Sequence, residues 1–152
     1  MFASLRRSLA LISCVVVTTT IVLIGPMPSA QAYANCTVKA KSPYVDGVLT
    51  HHMNATGEMN CGQFYRDLYI TVTLKYYYPL TQQWYNEAQR TYHVTSDNHI
   101  DNYGDPTQHS CVNSGSDTWQ YRTRVEGSAY SKDGVRRWHG ANTADATSHC
   151  IG

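Results

Sequence analysis

Beyond its first thirty-odd residues the 152-residue chain has no long apolar run, so nothing in the remainder is expected to span a membrane as a helix. It has no block of basic residues either. Removing Arg6 and Arg7 from twelve Lys/Arg leaves ten against eleven Asp/Glu, a formal charge of −1. The electrostatic footprint of a nucleic-acid binder is therefore missing, and an anionic membrane is an equally poor partner. There is no C-x-x-C, no G-x-S-x-G and no H-E-x-x-H, which removes the commonest zinc frameworks and hydrolase signatures. No stretch carries the 3.6-residue period of an amphipathic helix.

What is present begins with an address. Arg6 and Arg7 precede the apolar run LALISCVVVTTTIVLIG, and Pro26 and Pro28 lead into Ala30-Gln31-Ala32. That is the layout of a secretory signal peptide cleaved after Ala32, with Ala32-Tyr33-Ala34 offering a second site after Ala34. The expected organisation is a leader over residues 1–32 and one domain over 33–152, secreted and monomeric.

Cys14 leaves with the leader. Cys36, Cys61, Cys111 and Cys150 remain, an even number in an exported chain, and read as two disulfides. Four cysteines allow three pairings, among which the sequence alone does not choose. Cys36–Cys61 with Cys111–Cys150 is favoured because each half then closes on itself. No metal framework matches their spacing, and no cofactor is expected.

Everything periodic in the domain has period two. Leu68, Ile70, Val72, Leu74 and Tyr76 share one face of a strand; Tyr69, Thr71, Thr73, Lys75 and Tyr77 share the other. Pro79 ends it, and PLTQQ reads as a hairpin connection. The return, WYNEAQRTYHV, puts Trp84, Ala88, Tyr92 and Val94 inward and Tyr85 outward, an interrupted pattern suited to an edge strand or a bulge. In TWQYRTRVEGSAY, Trp119, Tyr121, Thr123, Val125, Gly127 and Ala129 face inward, and Asp133-Gly134 is a turn signal. CTVKAKS and VLTHHMNATGEMNC supply shorter strands, while residues 96–117 read as a long polar loop. About seven short strands predict an all-β fold, a small antiparallel β-sandwich without substantial helix.

The start ANCTVKAKSPYVDG, the strand WQYRTRVEGSAY and a last cysteine beside the terminus resemble small exported proteins of actinobacteria that carry an immunoglobulin-like sandwich. The resemblance implies that fold and the same two pairings, Cys36–Cys61 and Cys111–Cys150. It supplies no catalytic residues.

Asp97, His99, Asp101, Asp105 and His109 crowd one segment, and His99, Asp101 and His109 are the metal-ligand candidates by residue type. As a calcium loop the segment fails, since Asn102 and Gln108 stand where glycine and glutamate belong. Glu87 and Glu126 have outward parity, as solvated surface charges do. Arg122 and Arg124 lie two apart on one strand face and could hold an anionic group, although Glu126 on that face is a ready partner. The tyrosines with outward parity, Tyr69, Tyr77 and Tyr85, could stack on a sugar or pack against a protein; they also form strands well without any ligand.

The reading that follows is a secreted, non-catalytic binding module, acting on an unknown protein or glycan through its outward aromatics or the 96–117 loop. Two readings compete with it: a secreted peptidase inhibitor presenting that loop, and a metal-assisted enzyme built on its His/Asp residues.

Overall fold

The structure, a computed structural model, describes residues 35–46, 52–111 and 118–149, with the backbone alone for 118, 119, 148 and 149. The expected leader, the position of Cys150 and the middle segment 112–117 lie outside the described residues, as does the side chain of Trp119. Eight strands follow one another: β1 (Cys36–Ala40), β2 (Tyr44–Asp46), β3 (His52–Ala55), β4 (Gly57–Tyr78), β5 (Gln83–Asp101), β6 (Thr107–Ser110), β7 (Thr118–Tyr130) and β8 (Arg136–His149). Among the described residues there is no helix. All pairings are antiparallel, in one five-stranded sheet (β1, β4, β5, β7, β8) and one three-stranded sheet ordered β2-β3-β6.

The all-β antiparallel expectation holds, but the strands are not all short. β4 runs for 22 residues and β5 for 19. A strand that long must bend to enclose a core, and β4 does so between Asn60 and Tyr65, where its register against β5 shifts. Below the bend, Gly57–Cys61 pairs with β1; above it, Asp67–Tyr76 lies between β5 and β7. The bend lays β1 and the foot of β4 over the inner face of β7, curling the large sheet into a half-barrel. A Cβ at Gly127 would lie 2.6 Å from Met59 Sδ and 2.7 Å from Val38 Cγ2, so only glycine admits that approach.

The alternation of β4 and β7 explains what fills the curl. Leu68, Ile70, Val72 and Leu74 are fully buried, opposite Val125 and Ala129 on β7, with Met53 and Met59 closing over them. Asn54 is fully buried too, and neither of its amide atoms has a hydrogen-bond partner. Cys36 and Cys61 face each other directly in the β1–β4 ladder and are joined by a disulfide. Closing a 25-residue separation stabilises by about 3–4 kcal/mol in the chain-entropy treatment. Cys111 is fully buried and carries no free thiol; its expected partner, Cys150, lies outside the described residues.

Between β3 and β4 a single residue, Thr56, carries the chain from the small sheet to the large one. The buried side chain of Asn102 holds that step. It accepts from Gly57 N–H at 2.8 Å and donates to the Ala55 carbonyl at 3.1 Å, while Asn102 N–H donates to the Gly57 carbonyl at 3.3 Å. One amide thereby satisfies backbone groups on both sides of the switch.

Within the expected loop 96–117, the described residues 96–111 are mostly strand. Residues 96–101 complete β5, pairing Asp97, His99, Ile100 and Asp101 with Tyr65, Asn60, Met59 and Glu58. Residues 107–110 form β6 against β3. The turn between them is short and centres on Asn102–Asp105.

Candidate functional site

The upper end of the β4–β5 hairpin leaves the core behind. Pairing between β4 and β7 reaches Tyr76, opposite Tyr121, and the next residues of β4 are paired to β5 alone through Tyr77–Trp84 and Tyr78–Gln83. From Tyr76 to Asn86 the sequence YYYPLTQQWYN contains no charged residue. Pro79 stops the strand, and Gln82, with φ at 54°, completes the reversal. Leu80 at the apex is 84% exposed.

The rings of this arm sit on both of its sides. Tyr77 and Trp84 pack together on one side, centroids 5.4 Å apart, and the Arg122 guanidinium lies 4.2 Å from the Trp84 ring centroid. On the other side Tyr85 stacks on Tyr76 at 5.7 Å and meets Tyr78 edge-on at 6.3 Å. The Tyr85 hydroxyl lies 3.1 Å from Thr81 Oγ1. Trp84 and Tyr85 are therefore on the opposite sides to those their parity predicts. The cause is a bulge: Leu74 pairs with Ala88 and Lys75 with Asn86, leaving Glu87 as an extra residue. One inserted residue exchanges the two faces for everything beyond it.

Glu87 itself is turned by the bulge toward the space between the sheets. Its Oε1 is 3.0 Å from His109 Nε2 of β6, and its charge, after burial itself, pushes the Tyr121 hydroxyl pKa up. It is not the outward surface carboxylate that alternation predicts.

Below the arm, the outer face of the large sheet is polar and internally paired. Arg122 forms a two-pronged ion pair with Asp145 of β8, Nε to Oδ1 at 2.5 Å and Nη2 to Oδ2 at 2.7 Å. These bonds hold the Asp145 carboxyl below its ordinary pKa and the Arg122 guanidinium above its own. Arg124 is bound to Glu126, Nη2 to Oε1 at 2.5 Å. The two arginines are thus occupied by acids of their own sheet rather than open to a ligand.

Tyr69 shares a β4 face with Tyr77, but the two are eight residues apart, about 27 Å along a strand, and do not form one patch. Tyr69 lies half-buried in a separate cluster, stacked on His93 at 4.3 Å and edge-on to Tyr130 at 5.6 Å. His93 Nε2 is 3.0 Å from Asp67 Oδ1. Arg66 first, and His93 second, hold the Asp67 carboxyl below its ordinary value.

The metal-ligand candidates part company. His99 bridges Asn60 Oδ1 at 2.7 Å and Asp101 Oδ2 at 2.9 Å, whereas His109 is bonded to Glu87. Among the described residues no three His, Cys, Asp or Glu side chains converge as a metal would require. Beside His99, Tyr103 donates to Glu58 Oε2 at 2.9 Å, and Lys41 sits 3.8 Å from the centroid of its ring. Burial, reinforced by the Glu58 carboxylate, raises the Tyr103 pKa. These pairs lock β5 and the following turn to the foot of β4.

Leu80 is the exposed apolar residue that alternation does not single out. Its signal is the charge-free window around Pro79, legible only once the hairpin is known to outrun its neighbours. No family model, no curated protein and no solved structure matches this chain.

Proposed function

We propose that the chain is a secreted, non-catalytic binding module whose contact surface is the arm of residues 76–85, with Arg122 bracing it from below. The observation that carries this reading is the combination of an apolar apex and fixed rings. Leu80 is 84% exposed, and the five rings beneath it are already packed against one another. Rings held in place before contact lose little entropy on binding, which is how aromatic paratopes gain affinity. An uncharged surface with an aliphatic tip fits a protein partner better than a polar sugar. The immunoglobulin-like assignment of the scaffold rests on the resemblance of its sequence, and two antiparallel sheets with a disulfide at their foot support it. Export rests on the leader and is supported by that disulfide.

The peptidase-inhibitor reading loses the long loop it was built on, because residues 96–101 and 107–110 are strands. The metal-assisted reading has its three ligands divided between two sites. Affinity capture from the producing organism's secreted fraction, alongside a glycan array, tests the proposal. Leu80→Ser and Tyr85→Ala are expected to weaken capture at least tenfold, Leu80→Ser at unchanged melting temperature and Tyr85→Ala with a loss of stability of no more than about 1 kcal/mol. Capture that survives both substitutions would remove the arm from the binding surface.

A further inference from the structure

Two outer edges of the large sheet, those of β5 and β8, are finished differently, and the difference points to a partner. A free strand edge offers unpaired N–H and C=O groups to any other chain, and natural proteins blunt it with bulges, charges, proline or a covering loop. β5 has such devices. Glu87 bulges from it, Ser96 adopts a left-handed φ of 53°, and the turn at Asp105 is tied across it. That tie consists of Arg90 Nη1 to Asp105 Oδ1 at 2.8 Å and the Tyr92 hydroxyl to the Asp105 carbonyl at 2.7 Å.

From Trp138 onward β8 has no bulge and no proline, and its one Asp/Glu/Lys/Arg side chain, Asp145, is engaged by Arg122 of its own sheet. Its register against β7 is unbroken from Trp138 to His149, the one shift falling at its start beside Arg137. The run WHGANTADAT contains neither proline nor lysine, and small residues fill its middle. β1 comes close to β8, its Ala40 N–H donating to Asn142 Oδ1 at 3.3 Å, but its ladder is with β4 and not with β8. Among the described residues no strand pairs with the outer edge of β8.

We propose that this edge pairs with the same edge of a second copy, antiparallel about Ala141, so that two large sheets become one. The register follows from side-chain direction. Opposed residues of a ladder share a face, so a two-fold axis between like strands passes through a residue paired with itself. With Ala141 on the axis, Gly140 meets Asn142, His139 meets Thr143 and Trp138 meets Ala144. The extra residue at Arg137 then brings Arg136 opposite Asp145. Arg136 pairs with Tyr130, and Asp145 with Arg122, both on the outer face. Arg136 of one copy therefore extends the Arg122–Asp145 pair of the other. The axis itself is occupied by the smallest outward side chain available, which lets the strands close. The partner is a second copy rather than an unrelated peptide, because the charges match only when the strand meets its own reverse.

Sedimentation velocity on the processed protein across about 1–100 µM tests this. The native chain is expected to shift to twice its monomer mass. Ala141→Lys and Ala141→Glu, each placing like charges opposite one another, are expected to be monomeric with unchanged circular dichroism; their equimolar mixture is expected to regain the dimer. Arg136→Glu keeps the scaffold intact should a position-141 variant fold poorly, and is expected to weaken association at least fivefold. A native chain that stays monomeric at 100 µM would overturn the proposal. So would dimers that tolerate Ala141→Lys, or a Lys/Glu mixture that fails to associate.

Discussion

The lower and upper halves of the β4–β5 ribbon are built from the same two strands, yet they are stable for different reasons. Below Glu87 the alternation divides a dry interior from a polar exterior. Leu68, Ile70, Val72 and Leu74 are fully buried, and their burial drives the fold. Above Glu87 the core is touched only by Tyr76. Both sides of the ribbon carry rings, and the rings stack on each other rather than on a second sheet. Tyrosine and tryptophan can thus serve a strand that has little core behind it. Their area covers the neighbouring backbone, and their hydroxyl or N–H edges tolerate water.

The contrast should be largest in truncation. Leu74→Ala, just below the bulge, is expected to cost about 2–5 kcal/mol, because the rigid curl cannot collapse onto the cavity. Urea unfolding followed by circular dichroism measures it, and a loss below 1 kcal/mol would show that the curl relaxes. Deleting Glu87 tests the boundary itself. Without the extra residue the ladder runs unbroken from Leu74–Ala88 into Lys75–Asn86, Trp84 stays opposite Tyr77 and Tyr85 opposite Tyr76, and His109 loses its acid, at an expected cost of about 1–3 kcal/mol. Nuclear Overhauser contacts between Trp84 and Tyr77 should persist in that variant; their loss would mean that the hairpin had changed register instead of closing the bulge.

Acid acts through the lower half. Asp145, Asp101 and Asp67 are held below the ordinary carboxylate value of 3.8 by Arg122, His99 and Arg66 respectively. A carboxyl whose folded pKa is depressed stabilises the fold when ionised, and that benefit disappears as pH falls from 3.8 through the folded value. The melting temperature is therefore expected to be level from about pH 8 to pH 5 and to decline below about pH 4. Asp145→Asn should flatten the decline. The arm has no carboxylate between Tyr76 and Asn86, so acid reaches it only through Arg122 and the sheet below, and its near-ultraviolet ring signals should fall together with the far-ultraviolet signal. The smallest effect is expected for Tyr85→Ala, about 0.5–1 kcal/mol in stability, against the loss of binding described above.

Alternation made the lower half legible in the sequence. The inward set of β4, and that of β7 from Tyr121 onward, are where their period places them, as are the Pro79 stop and the Asp133-Gly134 turn, where Gly134 takes a φ of 78°. Cys36–Cys61 is favoured because each half of the chain then closes on itself, and the structure joins that pair. The bulge at Glu87 was not, because an extra residue leaves no mark on composition, and it alone reverses Trp84 and Tyr85. Residues 96–110 were hidden for another reason. Asp, Asn and His favour turns locally, but His99 and Asp101 gain Asn60 and Glu58 as ladder partners from forty residues away. Such long-range pairing overrides local preference. The change of sheet at Thr56 depends on Asn102 and was equally invisible.

The uncharged arm also decides how proteases would meet this molecule. Between Lys75 and Arg90 there is no lysine or arginine, so trypsin has no site in the most protruding part of the hairpin. A chymotrypsin-like enzyme does, at the exposed Leu80. A nick there would not release either piece. The amino-terminal fragment keeps the Cys36–Cys61 bridge, the carboxy-terminal one keeps β7 and β8, and the ladder from Asp67 to Tyr78 still zips them together. The cut protein would travel as one particle on a sizing column and separate only in denaturant, a complementing pair made by a single incision.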